Sequence, residues 1–263
     1  MIVNEVRCKT ILSKSGLYGI DYSLNPYRGC SHNCAYCYAP DILREQRKWG
    51  EFLDVKTNAP EVLSKELRRI KKGSVFLSSV TDPYQPLEKR FQLTRKVLEK
   101  FIGSDLFISI LTKSSLVTRD IDLFKKLKCE VGITITNLNG RDQKIFEPNS
   151  SSTEERFKAL RKLKDNEIKT YVFFGPILPF FSDRNLETFL QRVSQLTDCV
   201  MVDRLNLKKS TWPKIKNILE KNYPELIPKY EEIFFSKNGY YQELKEKITN
   251  LCKELSLEYE FCY

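Results

Sequence analysis

Histidine is almost absent from this chain of 263 residues, which contains a single one, His32. Metal sites with several imidazole ligands are therefore excluded, and a Ser–His–Asp type of triad could be built only around His32. Cysteine, with eight residues, is the more abundant ligand for soft metals. The search for chemistry accordingly begins with the cysteines.

Long hydrophobic runs are also absent. The most apolar stretch, residues 171–181 (YVFFGPILPFF), is too short to cross a bilayer and contains two prolines. Glu5, Arg7 and Lys9 interrupt the first fifteen residues, so no signal peptide is recognisable. These features predict a cytoplasmic protein without a membrane partner, in a compartment where thiols stay reduced. Clustered cysteines then indicate metal binding or redox chemistry instead of disulfides.

Acidic residues are outnumbered, since 44 lysines and arginines face 34 aspartates and glutamates and give a formal net charge of +10. A positive charge favours an anionic partner such as nucleic acid. The basic residues, however, recur on or beside predicted amphipathic helices, at 68–72, 124–128, 158–164 and 207–216. Solvated helix faces explain these runs well. Charge alone therefore leaves nucleic acid as one candidate substrate among others.

Short β-branched runs alternate with helical patterns along most of the chain, which is typical of an α/β protein with βα units around a parallel sheet. One helix is predicted over residues 58–72, where an Asn cap and an early proline precede a stop at Gly73. Another follows the capping box of Ser152 and Glu155. The sequence predicts six strands, at 18–24, 75–80, 106–111, 131–136, 170–174 and 199–203.

No linker or repeat divides the chain, so we expect a single domain over residues 1–263. Its core is expected at about 15–206, followed by a helical extension at about 207–263, in which Cys252 shares the apolar helical spacing and should pack in a core. The other isolated cysteines are interpreted as packing residues in the same way: Cys8, Cys129, Cys199 and Cys262.

In a parallel βα barrel, functional groups gather in the loops at the carboxyl ends of the strands. Residues that follow the six predicted strands should therefore converge on one rim. In strand order these are Cys30, Cys34 and Cys37; Thr81 and Asp82; Lys113 and Ser114; Thr136 and Asn137; Pro176; and Asp203 and Arg204.

Three cysteines lie in one short segment, NPYRGCSHNCAYCYAP, which spans residues 25–40 and is called the cysteine segment below. The C-x3-C-x2-C spacing lets three thiolates converge on one object if the chain curls, and Gly29 and Asn33 tolerate the required backbone conformations. A structural zinc ion would need His32 as its fourth ligand, but its position two residues from each neighbouring cysteine strains tetrahedral ligation. An iron–sulfur cubane normally takes four cysteines, so three would leave one iron open.

This motif, placed after a first strand and with an aromatic residue just before its third cysteine, resembles the radical S-adenosylmethionine (SAM) superfamily. Within it, the chain is most similar to proteins related to spore photoproduct lyase, sometimes called DNA repair photolyase-like. The similarity continues through SSVTDPYQPLEKRFQLTRKVLE, LTKSSLVTRDIDLF, FEPNSSSTEERFKALRKL and GPILP.

The resemblance implies a partial (β/α)6 TIM-like barrel and a [4Fe-4S] cluster held by Cys30, Cys34 and Cys37, with SAM on the open iron. It implies reductive cleavage of SAM to a 5'-deoxyadenosyl radical that abstracts hydrogen from a substrate. A flavodoxin- or ferredoxin-like protein would supply the electron.

Several cofactor contacts are implied by the same resemblance. Lys113 is expected to reach the SAM carboxylate, a suitable target for an ammonium group. Thr81 and Asp82 are expected near the amino group or ribose of SAM, and Thr136 and Asn137 near its ribose or carboxylate. Turn capping and strand termination are the alternative roles for these four residues.

Two tyrosines and an arginine complete the set. Tyr36 and Tyr38 flank Cys37 and would be catalytic, returning a hydrogen atom or contacting substrate, with Tyr36 also beside the cofactor; aromatic packing is the alternative. Arg156 would bind the cofactor, and a surface ion pair with a nearby glutamate is its alternative. Glu147 belongs to the similar FEP segment, but its chemistry is not inferable from the sequence.

The resemblance stops at the substrate. The lyase carries a cysteine hydrogen donor just before the positions of Thr81 and Asp82, where this chain has Ser79 and Val80. A serine O–H bond is too strong to replace a thiol as donor to a carbon radical, which argues against spore photoproduct repair. Nucleic acid, protein and a small metabolite stay open as substrates. The alternative to an enzyme is a non-catalytic iron–sulfur protein that binds nucleic acid.

Overall fold

The computed structural model describes residues 1–207, 210–236 and 238–263; Lys208 and Lys209 of the basic run at 207–216, and Lys237, lie outside the described residues. The strands are β1 (Ile2–Val6), β2 (Leu12–Lys14), β3 (Tyr22–Leu24), β4 (Tyr27–Arg28), β5 (Phe52–Lys56), β6 (Lys72–Leu77), β7 (Asp105–Thr112), β8 (Cys129–Thr134), β9 (Thr170–Ile177), β10 (Cys199–Arg204) and β11 (Glu258–Phe261). The helices are α1 (Ala39–Ile42), α2 (Ala59–Glu66), α3 (Glu88–Phe91), α4 (Leu93–Phe101), α5 (Ile121–Phe124), α6 (Gly140–Phe146), α7 (Thr153–Lys164), α8 (Leu186–Ser194), α9 (Thr211–Asn222), α10 (Ile227–Phe235) and α11 (Tyr240–Glu254). Short 3-10 helices span Ser115–Asp120 and Pro224–Leu226.

Eight strands form one sheet in the order β11-β10-β9-β8-β7-β6-β3-β2. All neighbours are parallel except β2, which pairs antiparallel with β3. The run from β3 through β6, β7, β8 and β9 to β10 contains the six predicted strands in their predicted order. The α/β class and the sequential parallel arrangement of a partial (β/α)6 barrel are therefore confirmed, and β11 extends the sheet by one strand.

Some predicted boundaries are wrong. The helix expected over 58–72 ends at Glu66, because Lys72 already begins β6 and Gly73, with φ of +128°, lies within that strand. The second predicted strand ends at Leu77 instead of residue 80, because Ser78 has φ of +72° and leaves the extended conformation. The first strand, β3, is also shorter than expected. The loop after β6 therefore starts earlier than the hydrophobic pattern indicates.

The hydrophobic core lies between the sheet and its helices. Val131 and Ile133 of β8 belong to the same buried cluster as Leu160 of α7. Because side chains alternate between the two faces of a strand, their neighbours point toward the interior of the partial barrel. There Gly132 leaves room for the ring of Tyr171, which any side chain at position 132 would strike. This interior face leads to the carboxyl ends of the strands.

The C-terminal extension is largely helical, as predicted, and packs against the cysteine segment. Ile215 and Leu219 of α9 and Tyr230 of α10 share a buried cluster with Tyr36 and Phe146. The extension thus covers one side of the loop that carries the thiols. Within the described residues, no helix is both long and apolar enough to cross a membrane.

The isolated cysteines differ in burial. Cys252 is buried in α11, as its spacing predicts, and Cys8, Cys129 and Cys199 are partly buried. Cys262 is exposed, contrary to the packing role expected of it. The reason is its position, since it directly follows β11, the outermost strand of the main sheet.

A second sheet of three strands, in the order β1-β5-β4, supports the cysteine segment. β4, just before the cysteines, pairs antiparallel with β5. After the cysteines, the guanidinium of Arg47 pairs with Glu45 and Asp54 and lies 3.6 Å from the ring centroid of Phe52. β5 therefore contacts the chain both before and after the three cysteines.

Candidate functional site

The predicted site residues meet at the carboxyl ends of β6, β7 and β8, beside the cysteine segment. Thr81 Oγ1 donates to the carbonyl oxygen of Gly29 at 2.6 Å, just before the first cysteine. The backbone N–H of Lys113 donates to Asp82 Oδ2 at 2.9 Å. Lys113 Nζ lies 5.6 Å from the ring centroid of Tyr36. Residues from three strand ends are thus brought to one place.

The cysteine segment curls as its glycine and asparagine predict. Gly29 has φ of +92° and Asn33 has φ of +52°, a region that most side chains disfavour. A side chain at position 29 would also collide with β5, because its Cβ would lie 2.5 Å from the backbone oxygen of Phe52. The three thiols of the segment are free; the first two are buried and the third is partly buried.

Hydrogen bonds from neighbouring loops hold this curl. The backbone N–H of Ser31 donates to Gln85 Oε1 at 2.9 Å, and Asn149 Nδ2 donates to the Ser31 carbonyl oxygen at 2.9 Å. The N–H of Ala35 donates to the carbonyl oxygen of Phe146 at 2.9 Å. Sequence reasoning missed Gln85 and Asn149, because a loop amide carries no periodic pattern. Together these bonds preorganise the segment around its thiols.

The three thiols share one electrostatic environment. Burial raises the pKa of each, to about 12 for Cys34, and the neighbouring thiols add to the rise for Cys30. Within the described residues, no three His, Cys, Asp or Glu side chains are close enough to hold a single metal ion. Three free thiols in one curled segment suit three corners of an iron–sulfur cluster, whose iron would have to displace the thiol protons.

His32 does not join the cysteines as a fourth zinc ligand. Its side chain is 2% exposed, and its Nδ1 lies 3.3 Å from Asp82 Oδ2. Asp82 also accepts a hydrogen bond from Thr112 Oγ1 at 2.6 Å. Burial acts to raise the pKa of Asp82, but His32 and the hydrogen-bond donors lower it to about 2. The ionised carboxylate links the cysteine segment to the end of β7, and direct contact with a cofactor stays a prediction.

Glu147 lies at the centre of a buried network that sequence reasoning did not assign. The Tyr36 hydroxyl donates to Oε1, as does the Thr136 hydroxyl at 3.3 Å. The guanidinium of Arg156 donates to Oε2. Burial would raise the pKa of Glu147, but Arg156 and Lys113 lower it to about 2. The ionised carboxylate therefore fixes the orientation of Tyr36 next to the Lys113 ammonium group.

The position of Arg156 overturns one expectation. Its side chain is fully buried, so a surface ion pair is wrong, and its partner is Glu147 in the interior. It also donates to the carbonyl oxygens of Thr134 and Ser151, at 3.0 Å and 2.9 Å. The sequence does indicate this burial, because position 156 lies on the apolar face of α7, four residues before Leu160. An arginine there needs a buried acid.

Asn137 provides a test of whether a polar ligand fits this site. It is 1% exposed, and neither Oδ1 nor Nδ2 has a hydrogen-bond partner among the described residues. A buried polar group without a partner costs about 1–3 kcal/mol. The amide, at the end of β8, is thus suited to a bound molecule that supplies both a donor and an acceptor, as SAM does.

Tyr38 lies in a different environment from Tyr36, although both flank Cys37. Its side chain is 47% exposed, and its hydroxyl donates to the carbonyl oxygen of Ser79 at 2.7 Å. The Ser79 hydroxyl itself accepts a hydrogen bond from Asn25 Nδ2 at 3.2 Å. Tyr36 therefore points into the protein, whereas Tyr38 lies at the open mouth of the partial barrel.

The mouth also contains Asp203, Arg204 and Tyr263. Burial raises the pKa of Tyr38 to about 12, and Cys37 and Asp203 add to the rise, so Asp203 lies near Tyr38. Burial raises the pKa of Asp203 above the usual range of a carboxyl group. The guanidinium carbon of Arg204 lies 5.4 Å from the ring centroid of Tyr263. The carboxyl end of β10 therefore carries a cation beside an aromatic ring.

The fold and the site together define a class of protein, a partial parallel βα barrel that presents three free thiols and an unpartnered polar group at the carboxyl ends of its strands. The model of the radical SAM superfamily matches residues 24–193. The chain belongs to this superfamily and is a radical SAM enzyme that uses a [4Fe-4S] cluster and S-adenosylmethionine.

Two relatives extend the comparison. An uncharacterized protein of Methanocaldococcus jannaschii is 38% identical over 253 residues, which cover 95% of this chain and 93% of that protein. The radical SAM Nalpha-GlyT isomerase of Pseudomonas phage M6 is 24% identical over 253 residues, which cover 90% of this chain and 52% of the isomerase.

Solved structures share the fold at low sequence identity. Spore photoproduct lyase complexed with dinucleoside spore photoproduct superposes with a TM-score of 0.75 at 16% identity, covering 99% of this chain and 82% of the lyase chain. SuiB of Streptococcus suis bound to S-adenosylmethionine superposes with a TM-score of 0.61 at 12% identity, covering 93% of this chain and 51% of SuiB. Identities this low support the fold and leave the substrate to be argued from the site.

Proposed function

We propose that Cys30, Cys34 and Cys37 hold the [4Fe-4S] cluster and that Lys113 and Asn137 bind SAM beside it. The observation that carries this assignment is the group of three free thiols, two of them buried and one partly buried, next to the Lys113 ammonium group. When bound, the cluster and SAM supply a 5'-deoxyadenosyl radical for hydrogen abstraction. The protein residues described next position these groups.

The remaining predicted residues act around this pair. Lys113 offers a positive charge to the SAM carboxylate, while Asn137 offers both a donor and an acceptor. Tyr36 packs beside Lys113 and is oriented by Glu147. Arg156 acts through Glu147 as a positioning residue, since the described structure directs most of its donors to protein groups. Thr81, Asp82 and Thr136 position the loops that surround the cofactor.

Nucleic acid is the substrate class that the mouth supports best. Tyr38, whose side chain is 47% exposed, can stack on a base, and Arg204 can contact phosphate. The net charge of +10 also favours binding of an anionic nucleic acid. The solved structure of spore photoproduct lyase holds a dinucleoside, which is consistent with this choice. Absence of nucleic-acid binding at the mouth would instead favour a protein or a small metabolite as the substrate.

The reaction differs from spore photoproduct repair in its last step. The positions before Thr81 are occupied by Ser79 and Val80, and the Ser79 hydroxyl is hydrogen-bonded to Asn25. Neither residue has a thiol that could return a hydrogen atom to a product radical. The enzyme acts on a substrate whose radical is quenched in another way.

An external reductant and an undivided chain complete the proposal. Reduction of the cluster requires a one-electron donor of the flavodoxin or ferredoxin type.

The core at about 15–206 and the extension at about 207–263 act as one domain, because α9 and α10 pack on the cysteine segment through Ile215 and Tyr230.

The test is anaerobic reconstitution with iron and sulfide, followed by incubation with dithionite and SAM. We expect a brown protein that releases 5'-deoxyadenosine, and a variant with Cys30, Cys34 and Cys37 replaced by alanine that is colourless and inactive. Cys8→Ser, far from the segment in sequence, is the matched cysteine control and should keep both properties. Cleavage by the triple variant would show that the ligands are wrong.

The substrate class is tested in the same assay with added oligonucleotides. We expect single-stranded DNA or RNA to bind with an affinity that falls steeply as salt rises. Transfer of hydrogen from a labelled oligonucleotide into 5'-deoxyadenosine would identify it as substrate. Salt-independent or undetectable binding would contradict the nucleic-acid proposal while leaving the radical chemistry intact.

A further inference from the structure

The indole N–H of Trp49 is a buried donor without an acceptor. Trp49 is 4% exposed, and its Nε1 has no hydrogen-bond partner among the described residues. Indole can only donate, so no rearrangement of the side chain turns this group into an acceptor. Leaving such a donor unpaired in the interior is unfavourable. An explanation is therefore needed for a tryptophan at this position, where phenylalanine would pack without the penalty.

The surroundings of Trp49 are the cysteine segment itself. Trp49 belongs to a small buried cluster with Cys30, Ala39 and Phe52, against which Cys37 packs. Burial raises the pKa of the Cys37 thiol, and the indole N–H of Trp49 is among the groups that act in the opposite direction. The orphan donor therefore lies next to a sulfur atom that is neutral as a thiol and negative as an iron ligand.

We propose that Trp49 donates its indole N–H to the Cys37 sulfur in the cluster-loaded enzyme and thereby raises the reduction potential of the cluster. This inference rests on the proposed ligand set. A thiol sulfur is a weak acceptor, whereas a thiolate bound to iron carries negative charge and accepts more strongly. The donor thus gains a strong acceptor when the cluster is present.

The direction of the effect follows from charge. One-electron reduction adds negative charge to the cluster, part of which resides on its sulfur ligands, and a hydrogen bond to a sulfur stabilises the reduced form more than the oxidised form. Trp49 is thus a positioning residue that acts through Cys37, with no contact with substrate. Loss of its N–H should make the cluster harder to reduce.

Packing holds the indole in place for this role. The ring of Trp49 meets that of Phe52 edge-on, with centroids 5.9 Å apart and an interplanar angle of 84°. Arg47 lies over the Phe52 ring and is bonded to Glu45 and Asp54, as described above. The indole therefore also packs on β5, through Phe52.

The experiment compares the midpoint potential of the reconstituted cluster in three proteins: the wild type, Trp49→Phe and Trp212→Phe. Each potential is measured in a reductive titration in which electron paramagnetic resonance detects the reduced cluster. The chain contains two tryptophans, and Trp212 is the matched control because its ring stacks on Tyr230 in the C-terminal extension. We expect Trp49→Phe to lower the equilibrium constant for reduction about tenfold, which corresponds to about 59 mV for a one-electron couple. Trp212→Phe should not shift the potential.

A second variant separates the hydrogen bond from packing. In the Trp212→Phe background, replacement of Trp49 by 3-benzothienylalanine keeps the bicyclic shape but lacks the N–H, and it should reproduce the shift of Trp49→Phe. An unchanged potential in this isostere would overturn the inference. Failure of the wild type to bind a cluster at all would instead contradict the ligand set, so the two failures are distinguishable.

Discussion

The two tyrosines that flank Cys37 divide the site into an inner and an outer region. Around Tyr36 the side chains are buried and hydrogen-bonded to one another, with Glu147 accepting bonds from a tyrosine, a threonine and an arginine. Around Tyr38 the side chains are partly exposed, and the aromatic and basic groups of the mouth make few bonds. The same short segment therefore places one tyrosine in a buried, hydrogen-bonded region and the other in a partly exposed region.

The difference shows how one fold can retain a radical-forming step and vary its substrate. The inner region is tightly bonded, because Glu147 pairs with Arg156 and accepts hydrogen bonds from Tyr36 and Thr136, so a change at one of these residues leaves another unpaired. The outer region has fewer constraints, so substitutions there alter recognition at little cost in stability. Ser79 and Val80, where the lyase has a thiol donor, lie in this outer region.

The largest effect is expected when the inner ion pair is broken. Arg156→Met leaves the Glu147 carboxylate buried without its cation, and removal of one partner of a buried pair costs about 3–5 kcal/mol. Chemical denaturation of the cluster-free protein measures the loss in the free energy of unfolding. Arg204→Met, the same substitution in the outer region, should stay within about 0.5 kcal/mol of the wild type. Equal losses in the two variants would remove the distinction between the regions.

A smaller effect is expected from pH. The pKa of Glu147 falls from 4.5 to about 2 in the folded protein, because Arg156 and Lys113 outweigh burial. Its ionised form therefore stabilises the fold above about pH 4.5, and this contribution is lost as the pH falls toward 2. Unfolding curves between these values should show a shallower pH dependence for Glu147→Gln than for the wild type. Asp82 retains its own contribution in both proteins, so the slope should decrease without disappearing.

Much of the fold and the centre of the site could be predicted from the sequence. The six parallel strands and their order followed from alternation of hydrophobic patterns, and the curl at Gly29 and Asn33 followed from residues that tolerate positive φ. These features are local, so a single sequence contains them. The cysteine spacing is local as well, and it carried the resemblance to the family that the comparison confirmed.

The parts that were missed depend on contacts distant in sequence. For Arg156 the sequence left cofactor binding and a surface ion pair as alternatives, and the second is wrong because the residue pairs with Glu147 in the core. Gln85 and Asn149 hold the cysteine segment from 54 and 118 residues away, and nothing in their local sequence indicates it. The end of β6 was misplaced because Ser78 interrupts an apolar run by its backbone conformation alone.

The smallest effect is expected in the outer region and concerns binding instead of stability. If Tyr38 stacks on a base, Tyr38→Ala should weaken binding of a single-stranded oligonucleotide by about 1–3 kcal/mol, whereas Tyr38→Phe, which keeps the ring and loses only the bond to Ser79, should bind like the wild type. Tyr18→Ala is the matched control, because Tyr18 is fully exposed and lies before β3, away from the mouth. Fluorescence anisotropy at fixed salt measures all four proteins. Equal affinity of Tyr38→Ala and the wild type would rule out a base-stacking role for Tyr38. If Tyr38→Phe lost affinity as well, the effect would belong to the hydroxyl group. The outer region would then recognise its substrate through hydrogen bonds instead of aromatic contact.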